Sequence, residues 1–318
     1  MAIFVWRTGV STRMAVIAAS AATVMVAASC VAPPPPPPPP PVIAAAGDIA
    51  CAPYSTNIPN GDLGIGDRCY EKPTSDLLVA GNYDAVLTLG DNQYLYGELA
   101  GFQTEFDRTW GRVKDRIKPS AGNHEYYIPN ATGYFGYFGA VAGDPTQGWY
   151  SFDLGSWHLI ALNSNCDAVG GCGPGSPQEQ WLRADLAAHA TVKCTLAFWH
   201  YPRFSSGSHG NVATMDPFWR ALHDYGADVV LNGHDHNYER FAPQNPDGVA
   251  EPAGIREFVV GTGGFSHYGL GTLKANSESF DGSSFGILEL TLRPTGYDWQ
   301  YRPAAGATFT DSGHGDCH

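Results

Sequence analysis

Short apolar runs alternate with amphipathic stretches along most of this chain. "VIAAAGDIA" is an apolar run with a turn and predicts a first buried strand, and "DAVLTLGD" predicts a second. "KPTSDLLVAG" between them reads as a short capped helix, and "YGELAGFQTEFDRTWGRV" has helical apolar spacing. "IKPSAGNHEY" is the end of a third strand. "GWYSFDLGSWHLIALNS" alternates and breaks at Leu154-Gly155-Ser156, which predicts a hairpin. In "SPQEQWLRADLAAH", Ser176, Pro177 and Glu179 form a capping box that opens a helix. "KCTLAFWHYP" and "ADVVLNGHDH" predict strands, with "MDPFWRALHDYG" a helix between them ending at Gly226. "IREFVVGTGG" and "FGILELTLRPTGYDWQYRP" complete the pattern, the latter a hairpin around Thr295-Gly296.

This order, βαβαβ first and antiparallel pieces later, predicts an α/β fold. The expected form is a four-layer α/β/β/α sandwich of two mixed sheets. Five of the apolar strands end in a polar cluster: "GD", "GD", "GNHE", "WHYP" and "GHDH". Ligand sites in open α/β sheets lie beyond the carboxyl ends of the strands, so five such endings can converge on one site.

The first thirty residues read differently. Arg7 and Arg13 precede the apolar, small-residue run "MAVIAASAATVMVAAS", the pattern of an export signal. Cys30 after "VAAS" resembles a bacterial lipoprotein cleavage site and offers a lipid attachment point; simple cleavage near "AAS" is the rival. Pro33 to Pro41 are nine consecutive prolines, a stiff rod of roughly 28 Å at about 3.1 Å per residue. Such a spacer suits a domain held off a membrane. The expected division is residues 1–30 signal, 31–42 proline-rich linker and 43–318 one domain, with the protein secreted or carried on the cell surface.

Six cysteines remain after Cys30, an even number in keeping with export and up to three disulfides. Cys51 with Cys69 and Cys166 with Cys172 are natural local loops, and Cys194 with Cys317 would then tie down the C-terminus. The sequence does not choose this pairing among the alternatives. Formal charge is −13, and losing the two signal arginines makes it −15. A chain this acidic is a poor electrostatic partner for nucleic acid.

The polar residues at the strand ends are Asp48, Asp91, Tyr94, Asn123, His200, His234 and His236. Three imidazoles, two carboxylates, an amide and a phenol form a hard-to-borderline donor set suited to metal. Singly, each has an ordinary explanation as a turn, a cap or a core histidine. "GHDHNYER" is more specific, because two histidines flanking an aspartate after an apolar strand serve no packing purpose. If that segment stays extended, His234 and His236 share one face.

The series "GD", "GDNQY", "GNHE", "WHYP", "GHDH" resembles the calcineurin-like metallophosphoesterases. The tyrosine of "GDNQY" and the stretch "HYPRFSSGSHG" are similar to the purple acid phosphatase branch, in its small, mammalian-type form. The resemblance runs roughly from Ala45 to Gly264. It implies one ion on Asp48, Asp91, Tyr94 and His236, and a second on Asn123, His200 and His234, with Asp91 bridging both. It implies direct attack of a metal-bound hydroxide on phosphorus without a phosphoenzyme. It also implies that His124 and His209 contact phosphate and protonate the leaving group. One departure is Gly210, where the plant enzymes carry another histidine. Tyr94 points to Fe(III), since a phenol of pKa near 10 needs a hard, highly charged cation to stay ionised in mild acid. The partner ion is Fe, Zn or Mn. Asp235 and Glu125 are expected to orient histidines, Arg203 to be a surface residue and His267 to lie near the rim.

The expected function is therefore an exported phosphatase acting on small phosphate monoesters. The alternatives are a phosphodiesterase or nucleotide hydrolase on the same centre, or a non-catalytic metal- or phosphate-binding lipoprotein. Four aromatics in one loop, Tyr134, Phe135, Tyr137 and Phe138, either stack a base or pack, and packing is the expectation. The oligomeric state is left open.

Overall fold

A computed structural model describes residues 1–22, 38–57 and 64–318. Cys30 and most of the proline run lie outside these residues. The chain divides into two units, Met1–Pro38 and Pro39–His318. In the first, residues 1–22 form neither helix nor strand. No described helix is long and apolar enough to cross a membrane.

The second unit contains two mixed sheets. The first has β1 (Val42–Ala46), β2 (Ala85–Leu89), β3 (Ile117–Ser120), β11 (Gly286–Arg293), β12 (Gly296–Pro303) and β13 (Ser312–Asp316), in the order β13-β12-β11-β1-β2-β3. The second has β4 (Tyr150–Leu154), β5 (Trp157–Ala161), β6 (Cys194–Phe198), β7 (Val229–Asn232), β8 (Tyr238–Phe241), β9 (Arg256–Val260) and β10 (Ser277–Asp281), in the order β10-β8-β9-β7-β6-β5-β4. β1, β2 and β3 are parallel, as are β5, β6, β7 and β9; hairpins and edge strands supply the antiparallel pairs.

Alternation along the second sheet shows why two layers of core form. Trp157, Leu159, Leu196, Phe198, Val229 and Leu231 join the core shared with Ile43, Leu87 and Leu288 of the first sheet. Their neighbours Ile160, Ala197, Trp199 and Val230 face the other way, onto α4 (Pro177–Ala188) and α5 (Asp216–Asp224). α5 buries Phe218, Trp219, Ala221 and Leu222, one stripe of a helix. On the first sheet's side lie α1 (Glu71–Ala80), the short helix α2 (Leu99–Gly101), which continues into a π-turn at Phe102–Phe106, and a 3₁₀ segment at Trp110–Arg116. The layers are therefore helix, sheet, sheet, helix.

The capping box works largely as expected: the Glu179 amide donates to Ser176 Oγ at 3.3 Å. The Glu179 carboxylate, however, accepts from the Gly175 amide rather than from that of Ser176. Both natural local loops, Cys51–Cys69 and Cys166–Cys172, are closed by disulfides, and Cys194–Cys317 ties down the C-terminus.

Four elements go beyond the pattern. β8, β10 and β13 are short or polar strands formed through pairing rather than apolar content. α3 (Thr132–Phe138) arises in a stretch that reads as loop because Gly133 and Gly136 weaken it. A Cβ on Gly133 would lie 1.9 Å from the Gly97 carbonyl, so glycine permits the contact that docks the helix. Tyr134, Tyr137 and Phe138 are buried against Phe102 and Phe106, so these three pack, while Phe135 is only partly buried.

Candidate metal centre

The polar strand ends meet where the two sheets come together. Asp48 follows β1, Asp91 and Tyr94 follow β2, and Asn123 follows β3, so the first sheet contributes the oxygen donors. His200 follows β6, and His234 and His236 follow β7, so the second sheet contributes the imidazoles. All seven come to one place, and all but Asn123 and His234 are essentially buried.

Tyr94 Oη sits 2.9 Å from Asp48 Oδ1, 3.0 Å from Asp91 Oδ2 and 3.1 Å from His236 Nε2. His236 Nε2 is 3.2 Å from Asp48 Oδ1. On the other side of Asp91, His200 Nε2 lies 3.3 Å from Asp91 Oδ2 and 3.1 Å from Asn123 Oδ1. His234 completes this side, its ring 5.1 Å from that of His200 and its amide donating to Asp48 Oδ2 at 2.8 Å. Asp91 thus belongs to both halves.

The backbone is shaped to allow this. Asp48, Asp91 and His234 have φ of 60°, 47° and 70°, a left-handed conformation that non-glycine residues rarely hold and that clusters at functional sites. His234 is therefore not in an extended segment, and the face-sharing geometry with His236 does not arise. The motif glycines give room: a Cβ on Gly122 would meet Asp91 Oδ1 at 2.1 Å, and one on Gly90 would strike the His200 ring at 2.5 Å.

The donor set has a deficit that a cation would meet. His200 Nδ1 donates to the Leu89 carbonyl at 2.8 Å, so in the neutral ring Nε2 is an acceptor aimed at two further acceptors. Tyr94 has one proton for two carboxylates. Buried carboxylates without compensation are costly, and no Lys or Arg contacts Asp48 or Asp91 among the described residues. Burial disfavours charge on His200, but Asp91 beside it prevails and raises its pKa to about 9. Burial, then His200 and His209, lower that of His234 to about 3. Burial, then Asp48 and Asp91, push the Tyr94 phenol well above its ordinary value. The residues fit two metal ions.

His124 and His209 flank the centre. The His124 amide donates to Asp91 Oδ1 at 2.9 Å, its Nδ1 is 2.5 Å from the Leu95 carbonyl, and its Nε2 is 3.7 Å from Asp91 Oδ2. His209 Nδ1 is 3.1 Å from Asp235 Oδ1 and its ring lies 4.3 Å from that of His234. That hydrogen bond to Asp235 raises the His209 pKa. Asp235 therefore orients a histidine. Glu125 does not: it accepts from the amides of Asn92, Gln93 and Gly122, holding together the two loops that carry Asp91 and Asn123. Burial and the nearby Asp91 raise its pKa to about 7. Ser266, missed in the sequence, lies 2.9 Å from His236 Nδ1; a serine directly after "GGF" gives no signal of its own.

One further expectation is corrected. Arg203 is not a surface residue but is largely buried, bonded to Asp216 and the Pro246 carbonyl and laid over Phe204. His267 packs 3.8 Å from Phe285 and lines a separate cavity of about 380 Å3 with Tyr70. A larger cavity of about 610 Å3 opens beside Asn123, between Tyr126, Tyr127 and Tyr201.

The family model of the calcineurin-like phosphoesterases matches residues 43–238. Purple acid phosphatase 15 of Arabidopsis thaliana is 26% identical over 240 residues, covering 64% of this chain and 44% of that protein. Acid phosphatase A of Cryphonectria parasitica is 30% identical over 157 residues, covering 41% and 30%. Acid phosphatase type 7 of Homo sapiens is 29% identical over 200 residues, covering 51% and 42%. The chain spans less than half the length of these relatives. Among solved structures, the purple acid phosphatase PPD1 of yellow lupin has the same fold, with a TM-score of 0.73 at 18% identity over 87% of this chain and 53% of its own.

Proposed function

The chain belongs to the calcineurin-like phosphoesterase family, and from that premise we propose that it hydrolyses small phosphate monoesters at a two-metal centre. Asp48, Asp91, Tyr94 and His236 would hold one ion, and Asp91, Asn123, His200 and His234 the other. The observation that carries this reading is Asp91, whose Oδ2 is 3.0 Å from Tyr94 Oη and 3.3 Å from His200 Nε2, a bridge between two donor sets. Ions held by these residues would supply an acidified water and electrostatic stabilisation for a displacement at phosphorus. Tyr94 favours Fe(III) in its site, while the amide and imidazoles of the second suit Fe, Zn or Mn.

The chain's own groups handle protons and position. His209, held by Asp235 and kept protonated to higher pH by it, is placed to donate to the departing alkoxide. His124, tied through Nδ1 to Leu95, presents Nε2 to the phosphoryl group. Glu125 locks the loops behind them. The three disulfides support a protein that works outside the cytoplasm, where a lipid on Cys30 would tether it to a membrane.

Purified protein loaded with iron and zinc should hydrolyse p-nitrophenyl phosphate, contain two metals per chain and show a visible charge-transfer band. Full activity after chelation overturns the metal-centre reading. A colourless, active two-metal protein overturns the ferric assignment alone.

A further inference from the structure

The groove beside Asn123 has a chemistry that the metal ligands do not dictate. We propose that it is the leaving-group subsite, and that it selects monoesters whose alcohol carries an uncharged ring system, such as a nucleoside, over esters bearing further phosphates. This rests on the phosphatase reading above.

The groove joins the centre directly. Asn123 lines it, and Tyr201, another wall, lies edge-on to His234 at 4.5 Å. Its volume of about 610 Å3 is far more than a phosphoryl group fills, and it continues into a hollow of about 440 Å3 through Tyr126, Asn130 and Ala168. An alcohol of nucleoside size has room there.

The walls suit a ring. Tyr126, Tyr127 and Tyr201 face the groove. Tyr127 is 57% exposed although it packs edge-on against His124 at 4.8 Å, and Tyr96, 49% exposed, lies 6.1 Å from it. Large aromatic rings left in solvent beside a catalytic centre offer π-faces on which a base stacks. The walls are also preformed: the Cys166–Cys172 disulfide closes the loop carrying Asp167 and Ala168, and Tyr126 Oη accepts from Asn163 Nδ2 at 2.7 Å. A preformed site loses less on binding.

Charge supplies the selection. Neither cavity is lined by a Lys or Arg, and the one carboxylate on the walls is Asp167. A second phosphate on the alcohol would meet this carboxylate with no cation to pair with, while Asn130, Asn165 and Thr214 offer neutral polar groups for hydroxyls or a base edge.

The test compares kcat/KM of the metal-loaded protein for a nucleoside 5′-monophosphate, glycerol 2-phosphate and a nucleoside 3′,5′-bisphosphate, all esters of alkyl alcohols. The nucleoside monophosphate is expected to exceed each of the others by about 10-fold or more. Tyr127→Ala should cut the nucleoside-to-glycerol ratio by about 10-fold, mainly through KM, because stacking binds ground and transition states alike. Asp167→Lys should raise the bisphosphate-to-monophosphate ratio by about 5-fold. Ratios are read because they do not depend on how much of a variant folds or takes up metal. Ratios near one in the parent protein, or unchanged in both variants, overturn this inference alone. No turnover of any ester overturns the phosphatase reading and this inference with it.

Discussion

Two histidine–carboxylate clusters in this molecule look alike on paper and differ in chemistry. One is the centre around Asp91. The other lies on the β4–β5 hairpin and the end of α4, where His158 Nδ1 is 2.9 Å from Asp153 and its Nε2 is 2.8 Å from Asp185. His189 stacks on His158 at 3.7 Å and turns its Nδ1 to the Asp185 carbonyl. With both nitrogens within hydrogen-bond distance of carboxylates, His158 is favoured in its charged form, which has no lone pair to offer. His200 instead places one nitrogen on a backbone carbonyl and keeps the other for the centre. What separates a metal site from a salt bridge is the partner of the far nitrogen, not the count of histidines and acids.

The sharpest way to break this contrast is Asp91→Ala. Removing the proposed shared ligand should strip both ions and lower kcat/KM for p-nitrophenyl phosphate by roughly 10⁴-fold or more, with metal analysis showing the loss directly. His209→Gln comes next, with kcat down by about 10²–10³-fold for alkyl esters and much less for nitrophenyl esters, whose leaving group needs no proton. Equal losses on both ester types would remove His209 from the role of acid. Tyr94→Phe should abolish the visible band yet change kcat/KM by less than about 10-fold, since in the proposed centre the phenol would tune the ion rather than touch substrate.

The smallest effect belongs to the second cluster. His158→Gln should leave metal content and turnover intact but cost about 1–3 kcal/mol of stability, read as a fall in Tm of a few degrees. Burial opposes charge on His158, yet its hydrogen bonds to Asp185 and Asp153 raise its pKa above the ordinary value. A raised histidine stabilises the fold fully below its unfolded value near pH 6.5, and that contribution fades as pH climbs through the raised one. The Tm gap between parent and variant should therefore be widest in mild acid and narrow in alkali. A gap that grows with pH would reverse the assignment.

The strand ends are legible in the sequence because apolar runs mark β1, β2, β6 and β7 and glycine announces the break after most of them. β10 and β13 are not legible: "SESFD" and "SGHGD" carry too little apolar pattern, and neighbours recruit them. The roles of Glu125 and Arg203 are equally invisible, since a buried charge is defined by amides or acids distant in sequence. Aromatics misdirect as well. Tyr134, Tyr137 and Phe138 draw notice and are core, whereas Tyr127, an unremarked residue after "GNHE", stands in the groove and Phe135 lines the adjoining hollow.

The division of donors between the sheets has a consequence for how the protein matures. Each proposed ion takes oxygen ligands from one sheet and imidazoles from the other, so neither sheet alone carries a complete set. The Cys194–Cys317 disulfide spans the same divide, linking the start of β6 to the residue after β13. In the proposed centre, metal capture would thus act as a coincidence test, succeeding only once both halves have docked in register. A chain that crosses a membrane unfolded would acquire its ions last, at its destination, and a misassembled copy would remain both colourless and inert.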